Sequence, residues 1–182
     1  MTDFLIIAVT QPGFYPEESE RINEILSAGK ARFVHIRKPD LSLSETEKLI
    51  NGISSDFHKN LKLHDHFELL EKYDLGGIHL NSRNPEKYFA SNSVSKSIHS
   101  IEEISIVEDL DYFFISPVFN SISKHGYKAA FDLNTLSEEI KGKKAIALGG
   151  VTPDRIPRLK SLGFYGAAML GHFFPPLPSS IN

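Results

Sequence analysis

The chain has 182 residues, of which 41% are hydrophobic and 24% charged, with a formal net charge of -3 and no cysteine. That length suits one domain burying roughly 70% of its unfolded surface. The charge gives no footing for nucleic acid, and the missing cysteines exclude disulfides, thiolate metal sites and thiol nucleophiles. Partners are therefore expected to be small molecules, with no nucleic acid and no membrane. The apolar run at residues 4–9 is too short for a signal segment, and nothing approaches the ~20 residues of a membrane span. A cytoplasmic location is the default.

Along the chain, strand-like runs alternate with stretches of helical period. A strand at 4–9 precedes a helix at 17–27, a strand at 33–36 a helix at 44–57, and a strand at 61–63 a helix at 67–73. The strand at 77–80 is followed only by a short interval around 84–90. Strands at 94–98 and 112–115 flank a helix at 100–107, and a helix at 133–140 leads to a strand at 144–148. A helix at 153–162 precedes the last strand, 166–170. Ser44 ahead of Glu47 and Ser100 ahead of Glu103 have capping-box spacing, and Thr152-Pro153 fits an N-cap followed by an N1 proline. Eight alternating units predict a parallel sheet closed as a (β/α)8 barrel, with a vestigial fourth helix and a truncated eighth because the chain is short for that fold. One domain over 1–174 is expected, with a proline-rich tail over 175–182. The missing helix would leave apolar surface that a second copy could cover, which suggests a homodimer.

In such a barrel chemistry sits at the C-terminal strand ends. The run Ala147-Leu148-Gly149-Gly150-Val151-Thr152-Pro153-Asp154 ends a strand in two glycines and restarts as a helix, so its amides can approach an anion. The strand at 166–170 repeats the design and ends at Gly171. His35 and Arg37 share one face at the end of the second strand; Arg37 suits a phosphate or carboxylate, or else a surface salt bridge. His64, Asp65 and His66 offer metal-ligand spacing or a capped turn. His99 is placed either for proton transfer or to hold a loop carbonyl. The loop at 116–127 reads as a lid in which Ser121, Ser123 and Lys124 meet an anionic substrate, or as a mobile polar loop. His58, His79, His125 and His172 carry no spacing signal and suit core or surface roles.

Together these strand ends resemble the thiamine-phosphate synthase and thiazole tautomerase (TenI-like) family. The matching pieces are Val34-His35-Ile36-Arg37 with Asp40-Leu41-Ser42, Gly77-Ile78-His79-Leu80, Ser97-Ile98-His99-Ser100, Ser116-Pro117-Val118-Phe119, Gly149-Gly150-Val151-Thr152-Pro153-Asp154, and residues 163–173. The resemblance implies a TIM barrel acting on phosphorylated thiazole in thiamine biosynthesis. Synthases of the family show Gln-x-Arg-x-Lys at the second strand and two magnesium carboxylates. Here His35 replaces the Gln, Pro39 replaces the Lys, Lys38 points away, Asp65 is kept beside His64, and Asn84 stands near the second Asp.

The tautomerase branch carries His before Ile-Arg and a His at the position of His99. The expected activity is therefore a thiazole phosphate tautomerase: an isomerase needing no cofactor, with His99 catalytic and phosphate held by Gly149, Gly150, Leu170 and Gly171. His35, Arg37, His64, Ser97, Ser121, Ser123 and Lys124 would contact the substrate. The alternative is a transferase, thiamine-phosphate synthase, that joins hydroxymethylpyrimidine diphosphate to thiazole phosphate with Mg2+ on Asp65. A non-catalytic barrel that only binds a phosphorylated ligand is the third reading.

Overall fold

The computed structural model describes residues 4–107, 109–120 and 130–177. Eight parallel strands close a barrel in sequence order: β1 (Leu5–Val9), β2 (Phe33–Ile36), β3 (Leu61–Leu63), β4 (Ile78–Leu80), β5 (Val94–Ile98), β6 (Tyr112–Ile115), β7 (Ala145–Ala147) and β8 (Gly166–Met169). The expected (β/α)8 fold is present. β8 returns to β1 in the register Leu5–Gly166 to Ala8–Met169. A side chain at 166 would meet the Leu5 carbonyl at 2.4 Å, so a glycine there lets the barrel shut.

The two-residue period sorts each strand. Ala8, Val34, Ile36, Leu61, Leu63, Ile78, Ile98, Phe113 and Ala147 face outward into the layer shared with the helices. Ile7, Val9, Tyr112, Phe114, Ile146 and Ala168 fill the barrel instead. The β2 to β5 arc of the interior is polar: His35, Lys62, His64, His79 and Ser95 are all buried.

The outer layer is thinner than the sequence pattern suggests. Helices α1 (Glu18–Ser27), α2 (Leu43–Asn51), α3 (Leu133–Glu139) and α4 (Ile156–Ser161) form, but 67–71 and 102–106 make only 3-10 turns. Each of these turns is five residues, the short run in which 3-10 geometry is ordinarily found. Among the described residues no helix follows β4, and β8 leads to one turn in which Phe173 and Phe174 donate to the Leu170 carbonyl. The cap of α2 is Ser42 with Glu45 rather than Ser44 with Glu47. Glu47 instead accepts from Tyr73 Oη at 2.8 Å and pairs with Lys72. No helix among the described residues is long and apolar enough to cross a membrane.

Candidate active site at the barrel mouth

Arg37 stands one residue past β2 with its backbone pinned to the end of β1. Thr10 Oγ1 accepts from the Arg37 N–H at 2.9 Å and donates to the Arg37 carbonyl at 3.3 Å. The guanidinium is half-buried and has no hydrogen-bond acceptor among the described residues. Burial pushes its pKa down, and the Arg83 guanidinium adds to this against the pull of Asp65 and Asp40. A partly desolvated, unpaired guanidinium is suited to an anion.

His35 was expected beside Arg37 at the mouth, but it lies below, completely buried and stacked on Phe114 at 4.8 Å. Contact with a substrate is therefore not open to it. Its Nδ1 shares a proton with His64 Nε2 at 2.8 Å, and its Nε2 meets the Tyr112 hydroxyl at 2.8 Å. His79 stacks on His64 at 4.1 Å. Ser95 donates to the Ile78 carbonyl, so its oxygen accepts from His79 Nδ1 at 2.9 Å, and His79 Nε2 then accepts from Ser97 at 2.8 Å.

Burial holds all three imidazoles below their ordinary pKa, His79 down to about 3. They are neutral rings in a hydrogen-bonded core. Their ligand nitrogens lie within 4.8 Å of one another. Those of His35 and His79 are committed to Tyr112, Ser95, Ser97 and His64, and the buried Lys62 ammonium lies over the Tyr112 ring at 4.6 Å. That environment disfavours a cation. The His64 and His66 metal pair does not form, because His66 turns outward and donates to the Leu41 carbonyl at 2.8 Å.

Asp65 does reach the mouth. Its Oδ2 accepts from the Lys38 N–H at 3.1 Å, while Oδ1 accepts from Arg83 Nη2 at 3.0 Å, Arg83 Nε at 3.2 Å and Asn84 Nδ2 at 3.2 Å. The magnesium that the synthase resemblance implies does not fit this set. Mg2+ takes six oxygen lone pairs at about 2.0–2.1 Å, whereas here a guanidinium and an amide N–H2 already cover the one retained carboxylate.

Across the barrel, Gly149 and Gly150 follow β7, and Gly171 follows β8. The amides of Gly149, Gly150 and Gly171 have no acceptor among the described residues. Arg155 braces this rim, donating to the Gly150 carbonyl at 2.5 Å and lying over the Phe119 ring at 4.7 Å. Gly150 has φ +62°, and a side chain there would meet the Asn120 carbonyl at 2.3 Å. Gly150→Ala is therefore expected to cost about 1–2 kcal/mol or more and to weaken binding of inorganic phosphate, read by thermal unfolding and calorimetry; parent-like values for both would contradict it. Leu170 contributes its carbonyl to the turn after β8 and packs its side chain against the barrel interior.

His99 is exposed one residue past β5, and its Nδ1 donates to the Ser116 carbonyl at 3.1 Å. That bond leaves Nε2 as the lone-pair nitrogen, with no partner among the described residues. The sequence had offered carbonyl holding and proton transfer as alternatives, and this geometry accommodates both. Ser121, Ser123 and Lys124 lie outside the described residues. His79 takes the core place that the sequence allowed it, whereas Arg83 is a site residue that sequence reasoning missed.

A family model described as "Thiamine monophosphate synthase" matches residues 6–173. A thiamine phosphate pyrophosphorylase from Bacteroides thetaiotaomicron, solved as a crystal structure, superposes with a TM-score of 0.82 and is 32% identical, covering 98% of this chain and 89% of that one. The thiamine-phosphate synthase of Leuconostoc citreum is 24% identical over 165 residues, 82% of this chain and 77% of the relative. That of Staphylococcus haemolyticus is 26% identical over 166 residues, 83% and 78% of the two chains.

Proposed function

The chain belongs to the thiamine monophosphate synthase family, and from that membership we propose that it is a transferase of thiamine biosynthesis, joining hydroxymethylpyrimidine diphosphate to thiazole phosphate with release of pyrophosphate. This prefers the synthase to the tautomerase expected from His35 and His99, in keeping with the synthase names of its relatives. The observation that carries it is a pair of separate rims on one barrel mouth, each offering donors suited to an anion. Amides with no acceptor among the described residues follow β7 and β8, and guanidiniums follow β2 and β4. A tautomerase would set only the single carboxylate of its carboxythiazole phosphate on the second rim, whereas a diphosphate presents two phosphoryl groups there, which two guanidiniums suit better.

In this reading the Gly149, Gly150 and Gly171 amides seat the thiazole phosphate. Arg37 holds the diphosphate, whose negative charge grows as the bond from the pyrimidine methylene carbon to oxygen breaks and the thiazole nitrogen forms the new bond to that carbon. A fixed cation at that point favours the transition state over the bound substrate. His64 and Ser97 line the floor between the rims, with His35 and His79 setting their orientation from below.

The test supplies both substrates, then each alone, and follows pyrophosphate. Release that requires both is expected, whereas aromatisation of the non-aromatic thiazole tautomer without pyrophosphate would replace this reading by the tautomerase. The Nε2 of His99, which has no partner among the described residues, is the observation favouring that second reading. Removing an acid–base group costs a proton shift about 100- to 10,000-fold, so His99→Ala should abolish aromatisation if the tautomerase reading holds.

A further inference from the structure

The expected metal position is filled by protein donors. Asp65 Oδ1 takes the Nε and Nη2 of Arg83 at 3.2 and 3.0 Å and the Asn84 amide at 3.2 Å, and Oδ2 is taken by the Lys38 N–H. Asn84 Nδ2 also donates to the His64 carbonyl at 2.9 Å, and Asn81 Nδ2 donates to the same carbonyl at 2.8 Å. Hydrogens therefore converge where a cation would need lone pairs. Arg83 is itself held on Asp65, its side chain 41% exposed. Two of its five donors are spent on Asp65, leaving Nη1 and the second Nη2 hydrogen for another partner.

Arg37, on the strand next but one, has no acceptor among the described residues. Asp40 is an exposed countercharge on its outer side. The departures line up: Pro39 stands two places after Arg37 where the synthase pattern has Lys, an amide stands near the position of the second carboxylate, and an arginine precedes that amide.

We propose that Arg83 takes the place of the divalent metal, so that Arg37 and Arg83 together bind a diphosphate group without Mg2+, with Asp65 and Asn84 as the residues that position Arg83. The arrangement is a guanidinium clamp, in which planar forks meet phosphate oxygens directly. Charge explains why the carboxylate count falls with the metal. Asp65 orients Arg83 and leaves the two arginines with one positive charge between them, Asp40 being exposed and screened by solvent, whereas a second buried carboxylate beside no metal would cancel that charge.

The inference rests on the synthase reading only for the identity of the diphosphate, and its test is binding rather than turnover. Inorganic pyrophosphate is titrated calorimetrically into the full chain in EDTA and again in saturating magnesium. Binding in EDTA within about threefold of that in magnesium is expected, and Arg83→Gln should weaken the EDTA value about 10- to 100-fold, as loss of charge-assisted bonds does. Pyrophosphate binding that requires magnesium would overturn the proposal, as would an Arg83→Gln variant with the parent's EDTA affinity. If Arg83→Gln does not fold, the metal comparison on the parent chain decides. Absence of turnover with intact metal-free binding would count against the synthase reading alone; turnover with magnesium-dependent binding would count against this proposal alone.

Discussion

Replacing Lys38 by methionine is expected to lower the unfolding free energy by about 3–5 kcal/mol at neutral pH, the range for stripping one partner from a buried ion pair. The Lys38 side chain is completely buried, and its ammonium meets Glu18 Oε2 at 2.5 Å, the Gln11 carbonyl at 2.9 Å and the Gly13 carbonyl at 2.7 Å. It thus fastens the loop after β1 to the end of β2. Glu18 is 5% exposed, its Oε1 has no partner among the described residues, and burial already raises its pKa against the pull of Lys38.

Without Lys38 the Glu18 carboxylate would stay charged and buried, or take up a proton. The loop at Gln11 to Gly13 would also lose its two acceptors' donor, and with it the packing behind Thr10 and Arg37. Urea unfolding at fixed pH measures the effect. A loss below about 1 kcal/mol would mean that the loop relaxes and lets water reach the Glu18 carboxylate. The double variant Lys38→Met with Glu18→Leu should recover part of the loss, since an apolar pair of similar volume avoids the stranded charge. The two orphaned carbonyls keep that recovery incomplete.

The β2 end was half legible from sequence. Strand alternation turned Lys38 away from Arg37, and the buried clamp to Glu18 is what that orientation leads to. The same alternation put His35 on the Arg37 face, but parity fixes a face and not a depth. Two residues along a strand is about 6–7 Å, enough to separate a side chain at the mouth from one sealed under it.

His79 had no local signal because its partners come from other strands: His64, Ser95 and Ser97. The clue was available in Ile78 and Leu80, whose apolar side chains on either side direct the residue between them into the barrel. Arg83 was hidden for a different reason. It sits in an irregular loop with no motif, and only the amide at Asn84, a missing negative charge, hinted that a cation from the protein had become its neighbour. The helices at 67–73 and 100–107 were overread because periodicity reports which face is buried and does not separate an α-helical turn from a 3-10 one.

Acid should unfold this protein earlier than its carboxylates alone would dictate. His35, His64 and His79 are held neutral, first by burial and then by the positive neighbours around them: Lys62 beneath His35 and His79, and Arg37 and Arg83 above His64. Their folded-state pKa values lie well below 6.5, whereas the unfolded chain binds three protons as pH falls through about 6.5. Below that point the unfolded state holds more protons, so stability rises with pH and is lost as pH falls toward the folded values.

For three such groups the loss between pH 7.5 and 5.5 is about 4 kcal/mol. Asp132 and Asp154 have lowered pKa values and titrate below this window, and Glu18, raised by burial, works in the opposite direction as it takes up a proton. Unfolding free energies from urea titrations at half-unit pH steps should therefore fall with a slope approaching three protons. His79→Gln can keep bonds to Ser95 and Ser97 through an amide, so its slope should approach two. A stability that stays level from pH 7.5 to 5.5 would mean that the three rings are hydrated and charged in the folded barrel, which the hydrogen bond shared by His35 and His64 does not permit for two imidazolium rings.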